Sequence, residues 1–257
     1  MPDLLVVADG QDALAAAFVA HSRDAGRDVA HWSFREAALR FCIKRNESVR
    51  VEPSVPILLR PPLPLSQDAS REAHFHHAEI CSFVWAAGAL TDAEVVNRPD
   101  AWGFSGRVTG SSEVTRRRAG IRGMGLATEA FSSHCPEADD RWWLERQTDR
   151  ELMPWSASLD ERGPYRSGRV EPGARAVVVA VVGDTACALD DSPSSADLSD
   201  RSREACAALG LTFALLTWRW DPDRRHAELA RVAHPSLADL GSAWPVVADA
   251  LEAQLGP

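Results

Sequence analysis

The sequence predicts an α/β (α+β) fold, with a small N-terminal α/β subdomain and a shortened C-terminal mixed-sheet subdomain. Three observations predict it. Strand-like and helix-like stretches alternate from Leu4 to Leu59, as expected of an open, partly parallel layer. Two apolar runs flank Gly183-Asp184 within Ala174–Leu189 (ARAVVVAVVGDTACAL), a hairpin signal because glycine reaches positive φ without a Cβ clash. Beyond the hairpin the pattern reads helix, strand, strand, helix. Val177, Val178, Val179, Val181 and Val182 run too continuously for a half-exposed strand, so this strand is expected to be buried on both faces.

Taken in order, Leu4 to Ala8 (LLVVA) is the first strand. Asp9-Gly10 turns it into a helix through DALAAAFVAHSRDAG that ends at Gly26. Asp28 to Phe34 gives a strand, Arg35 to Phe41 a short helix, and Val49 to Leu59 further strand. Pro61, Pro62 and Pro64 break that element. From Asp68 the segment ASREAHFHHAEICSFVWAAGAL reads as a long amphipathic helix with Asp68 or Ser70 as N-cap, its inward face formed by Phe75, Ala78, Ile80, Phe83, Val84 and Ala87. Gly88 is expected to weaken its last turn, and Glu94–Pro99 follows as a short strand. Residues 101–126, rich in Gly, Ser, Thr and Arg, read as a linker between subdomains 1–100 and 127–257. Ser192–Asp200 delivers an N-cap for a helix over Arg201–Leu209 that stops at Gly210. Leu211–Trp220 is a strand, Asp221–Asp223 a turn, Ala227–Ala233 its partner, and Pro245–Leu255 the last helix.

Composition excludes several classes. A formal charge of −9 opposes non-specific nucleic-acid binding, which needs a basic field. No apolar run approaches the roughly 20 residues that cross a bilayer, and MPDLLVVAD lacks the basic start of a secretory signal. The 5 cysteines are scattered with no CxxC pair, so neither structural zinc nor a disulfide framework is expected, and a reducing cytoplasm fits. Lys44 is the only lysine among 28 basic Lys and Arg residues. Any chemistry requiring two lysines is therefore closed to this chain.

The local motifs carry little chemistry. His74, His76 and His77 form an HxHH cluster that would need a further ligand such as Glu79 to hold a metal; without a second ligand string it reads as helix surface. Gly120, Gly123 and Gly125 lack the lysine of a phosphate loop. Ser111, Ser112 and the cysteines have no His/Asp string that would make a nucleophile. Arg116, Arg117 and Arg118 read as a solvated loop or, alternatively, a dock for an acidic partner. Trp218 and Trp220 alternate on one strand and face one side, towards core or groove.

In their order, ILLRPP (Ile57–Pro62), the long helix, VVNRP (Val95–Pro99), VVVAVVGDTACAL (Val177–Leu189), LGLTFALLTW (Leu209–Trp218) and RVAHPS (Arg231–Ser236) resemble the ATP-grasp peptide ligases of microviridin (graspetide) type. The resemblance implies a nucleotide site with two lysines and magnesium held by carboxylates. This chain departs at each place. No lysine follows Lys44. Thr217 stands where the first acid is expected, Arg231-Val232-Ala233-His234-Pro235 where a Glu–x–Asn–Pro string belongs, and Val178 where an arginine belongs. Phosphoryl transfer rests on charge stabilisation by such groups. The resemblance thus implies a degenerate, shortened ATP-grasp-like relative with no catalytic residues, cofactor or metal.

What such a relative would keep is the binding of a helical leader peptide. The resemblance places that site beside the central hairpin and the helix after it, where Arg166, Arg169, Glu171, Arg175, Arg203 and Glu204 are the candidate contacts. The chain is then similar to leader-binding helpers of crocagin-like pathways for ribosomally made, modified peptides. Its expected partners are a precursor peptide and itself as a homodimer, or a paralogous subunit, with neither nucleic acid nor membrane. The alternatives are a divergent ATP-dependent carboxylate–amine ligase and a structural subunit of a ligase complex.

Overall fold

A computed structural model describes residues 2–45, 47–63, 65–66, 68–100, 129–132, 142–146, 152–154, 165–169, 175–189, 195–221 and 226–256. The first unit is a parallel sheet of β1 (Leu4–Val7), β2 (Val29–Trp32), β5 (Ile57–Leu59) and β6 (Val95–Val96), in the order β2-β1-β5-β6. Leu4 and Val6 face one core while Leu5 and Val7 face another, so the two-residue alternation of β1 divides two hydrophobic cores. That double burial is why this strand has no polar position.

Helix α1 (Ala13–Asp24) covers the first face. Asp12 caps it by accepting from the Ala15 N–H at 2.9 Å, and Leu14, Ala15, Phe18 and Val19 form its buried stripe. Helices α2 (Phe34–Arg40) and α3 (Arg71–Leu90) cover the second face. Ser33 and Glu36 close a reciprocal capping box on α2, whose hydrogen bonds hold the Glu36 carboxyl below its ordinary range. Between α2 and β5 the sequence reading has one strand. The structure instead places an antiparallel ribbon of β3 (Cys42–Arg45) and β4 (Val49–Glu52) there, separated from β5 by a break at Pro53–Pro56.

The long helix also differs from expectation. Ser70, not Asp68, is its N-cap, and its buried stripe is Cys81, Val84, Ala87 and Gly88. Phe75 is 61% exposed and Ala78 is exposed as well. At about 100° per residue, Phe75 sits on the opposite side of the helix from Val84, so both cannot face the core. Gly88 is a packing position rather than a weak turn: a Cβ there would meet Leu59 Cδ2 and Pro99 Cγ, each at 3.1 Å.

Residues 129–132, 142–146, 152–154 and 165–169 form β7 to β10, an antiparallel sheet in the order β7-β10-β8-β9. The predicted linker over 101–126 lies outside the described residues. The C-terminal sheet is built from β11 (Arg175–Val182), β12 (Thr185–Ala188), β13 (Phe213–Asp221) and β14 (His226–Ala233), in the order β12-β11-β13-β14. Helix α4 (Ser195–Leu209) packs on one face. It begins six residues earlier than the sequence suggested (201 minus 195), and Leu198 in this added stretch is buried against the sheet. A single turn α5 (Leu237–Leu240) precedes α6 (Trp244–Leu255), which lies with α1 between the two sheets.

The parallel and antiparallel sheets therefore share a core that runs from Leu4, Val6, Leu14 and Phe18 to Ala180, Val182, Phe213, Leu215, Val247 and Leu251. Two polar latches fix their mutual position. Asn97, at φ 55° and 3% exposed, accepts from the Thr212 and Phe213 N–H groups at 2.9 and 2.8 Å and donates to the Phe213 carbonyl at 2.6 Å. Arg60 donates to Asp12 and to the Pro235 carbonyl, each at 2.8 Å.

Candidate functional site

The central hairpin forms where expected. Gly183 takes φ 52°, and its N–H donates to the Thr212 carbonyl at 2.7 Å. Val177, Val179 and Val181 face α4, while Ala180 and Val182 face the core shared with the first sheet. Both faces of β11 are covered, as the valine run predicts. Trp218 is fully buried on the α4 side, where its indole N–H donates to Ser202 Oγ at 2.8 Å, and Trp220 packs on the same side. The tryptophan pair is core.

On β13, Phe213 and Leu215 face the shared core, so alternation puts Thr217 and Arg219 on that face too. Thr217 pairs with Val178 on one side and with Arg231 on the other. The three departures read from separate strings thus form one transverse row across β11, β13 and β14. This could not be read from the sequence, because register is set by long-range pairing. Arg231 belongs to that face through a bulge: Trp218 pairs with Leu229 and Thr217 with Arg231, leaving Ala230 without a register partner. Leu229 and Val232 both pack towards α4 three positions apart, so the extra residue reverses the alternation.

This row does not fit magnesium, which takes hard oxygen ligands. It offers an isopropyl group, a hydroxyl and a guanidinium that repels a divalent cation. Among the described residues no group of three or more His, Cys, Asp or Glu could hold a metal ion. His74 and His76 are exposed on α3, and His77 Nε2 lies 3.5 Å from Cys81 Sγ. Lys44 sits on the N-terminal ribbon, paired with Glu52 at 2.6 Å.

The candidate peptide contacts are spread out. Arg166 and Arg169 lie on β10, with Arg169 paired to Trp142 in the β8–β10 register. Glu171 lies outside the described residues. Arg175 opens β11 opposite Trp220, at the far end of the strand from the turn. Arg203 and Glu204 are exposed on α4, and Arg203 donates to the Asp184 carbonyl at 3.1 Å and pairs with Asp200. Arg203 thus braces the hairpin turn, about 23 Å along the strand from Arg175 at 3.3 Å per residue. The candidate positions from Arg175 to Arg203 are thus spread along the length of β11. Spacing along the chain held no signal for this distance.

The architecture is that of the ATP-grasp ligases. In a match spanning 100% of this chain and 99% of the other, with 14% identity and a TM-score of 0.67, the chain is similar to the ATP-grasp ligase PsnB complexed with a phosphomimetic variant of minimal precursor, Mg and ADP. It is also similar to a Chryseobacterium gregarium RiPP-associated ATP-grasp ligase in complex with ADP and a leader and core peptide (11% identity, 100% and 98% covered, TM-score 0.66). A third is the macrocyclase MdnC bound with precursor peptide MdnA from Microcystis aeruginosa MRC (12% identity, 96% and 97% covered, TM-score 0.61). No protein-family model matches the sequence, and no curated protein sequence matches it.

Proposed function

We propose that this chain is a non-catalytic precursor-peptide-binding protein that assists maturation of a ribosomally synthesised, modified peptide in the cytoplasm. The observation that carries the reading is the row Val178–Thr217–Arg231 in an ATP-grasp fold. Its side chains offer neither a carboxylate for a metal nor a lysine, while solved structures of the same fold hold precursor peptides. The track from Arg175 to Arg203 suits a helical leader, since about 15 residues at 1.5 Å per residue cover the same length.

The partner set includes a second copy. In α3 the residues from Arg71 to Glu79 are exposed apart from half-buried Ala73 and His77, and Phe75 stands at the centre of that stretch. An antiparallel two-fold pairing about Phe75 would set each Arg71 against the Glu79 of the other copy, as a self-complementary interface requires. Phe75→Glu should then yield a monomer in light scattering, with unchanged thermal stability of the protomer.

The deciding experiment is calorimetric titration of the full chain with a leader peptide and, in parallel, with Mg-ATP. Peptide binding weakened by Arg169→Ala with Arg175→Ala, and no Mg-ATP heat, supports the helper. A thermal stabilisation by Mg-ATP with turnover would instead establish a divergent ligase. Co-purification with an active ligase and no affinity for isolated peptide would make the chain a structural subunit.

A further inference from the structure

We propose that the two-fold pairing of α3 about Phe75 carries a bridging zinc site, made of Glu72 and His76 from each of two copies. The inference rests on that pairing. Within one chain, His76 Nε2 stands 3.6 Å from Glu72 Oε1 one helical turn away, and the two side chains are 65% and 84% exposed. That separation is too long for a hydrogen bond. It is close to the roughly 3.3–3.4 Å between two donors that each sit about 2.0–2.1 Å from one tetrahedral zinc ion. The His76 ring rests edge-on against Phe75, with centroids 5.9 Å apart and planes at 65°. No third His, Cys, Asp or Glu completes a metal-binding group among the described residues of one chain. The second ligand string that the HxHH motif lacks is the same string on a second copy.

Helix geometry places the donors. At about 100° per residue, Glu72, His76 and Glu79 lie about 60°, 100° and 40° round the helix from Phe75 in one direction. Arg71, His74 and Ala78 lie about 40°, 100° and 60° round in the other. A two-fold axis normal to an antiparallel pair keeps like flanks together, so Glu72, His76 and Glu79 of both copies meet on one side of the seam. Arg71 reaches across the seam to Glu79 of the other copy. Two carboxylates and two imidazoles are left around the axis, with no basic side chain of that flank to offset them. Zinc takes such a nitrogen and oxygen set in four-coordinate geometry, whereas magnesium and calcium call for oxygen ligands. The other two histidines stand apart: His74 is on the opposite flank, and His77 Nε2 lies 3.5 Å from Cys81 Sγ, on the side that packs against the sheet.

The test is light scattering of the full chain over a dilution series, in EDTA and again with zinc chloride, with the ion's stoichiometry read by calorimetry. Zinc should tighten dimerisation by about tenfold or more, at one ion per two chains. His76→Ala and, separately, Glu72→Gln should abolish that gain without weakening the dimer in EDTA, while His74→Ala should leave the gain intact. A dimer that zinc does not tighten would overturn the bridge and leave the pairing standing. A gain that survives both His76→Ala and Glu72→Gln, or full zinc affinity in a monomeric Phe75→Glu variant, would overturn the bridge as well. A chain that is monomeric in EDTA and in zinc alike would overturn bridge and pairing together. Leader-peptide titration is read separately, so none of these outcomes bears on the peptide-binding role.

Discussion

Asn97 offers the sharpest test of how the two sheets are joined. Its side chain makes three hydrogen bonds to the backbone of Thr212 and Phe213, and its own N–H donates to Thr212 Oγ1 at 2.9 Å. Asn97→Ala removes all three side-chain bonds at a site that is 3% exposed. Each abandoned buried backbone group costs about 1–3 kcal/mol, and shared geometry keeps the sum below additivity. Alanine also resists φ 55°, which adds about 1 kcal/mol. The expected loss is about 3–5 kcal/mol, a large part of a typical total of about 5–15 kcal/mol. Asn97→Gly loses the same bonds without the backbone strain, so it should be about 1 kcal/mol less harmful than alanine. Urea denaturation followed by tryptophan fluorescence and circular dichroism measures both. An alanine variant within about 1 kcal/mol of the parent would refute the latch, because leaving both buried Phe213 backbone groups unsatisfied should cost about 2 kcal/mol or more.

Three further outcomes follow from the same geometry. Gly183→Ala should cost about 1–2 kcal/mol, since a Cβ at φ 52° would also clash with Gln254 Oε1. Adding Gln254→Ala should recover the steric part alone, and no recovery in denaturation midpoints would show that the clash is absent. Trp218→Phe should lose about 1–3 kcal/mol through the missing Ser202 bond and the vacated volume, and calorimetric stability equal to the parent would contradict it. Burial pushes the Cys206 thiol up to about 12 and, with a smaller contribution from Asp9, the Cys81 thiol up to about 11, from a usual value of 9.0. Their folded-state values are raised, so the stability they confer is complete below pH 9.0 and is lost as pH rises through 11 and 12. Mass spectrometry should find exposed Cys42 alkylated at about pH 8 long before Cys81 and Cys206; equal rates would show that those thiols are open.

The valine run of β11, helix α1 ending before Gly26, the Gly183 turn and the C-terminal order of helix, strand, strand, helix were all legible in the chain, because each rests on local spacing or on one residue's backbone freedom. The resemblance strings likewise marked Val178, Thr217 and Arg231 as odd, one at a time. Only the tertiary structure put them in one row, since register depends on pairing between strands 39 residues apart (217 minus 178) and on a bulge with no local signature. It also gave those strings a second meaning. Asn97 of VVNRP and Arg60 of ILLRPP hold the two sheets together through partners more than a hundred residues away, at Phe213 and Pro235. The face of α3 was misread for the complementary reason. Apolar residues at Phe75 and Val84 look equivalent in a list, and only the sheet they pack against decides which side of the helix is inside. Sequence determined most of the elements and marked the residues that depart from the ligase strings. Long-range packing decided which side chains stand together, because that is a property of the folded core and not of any segment.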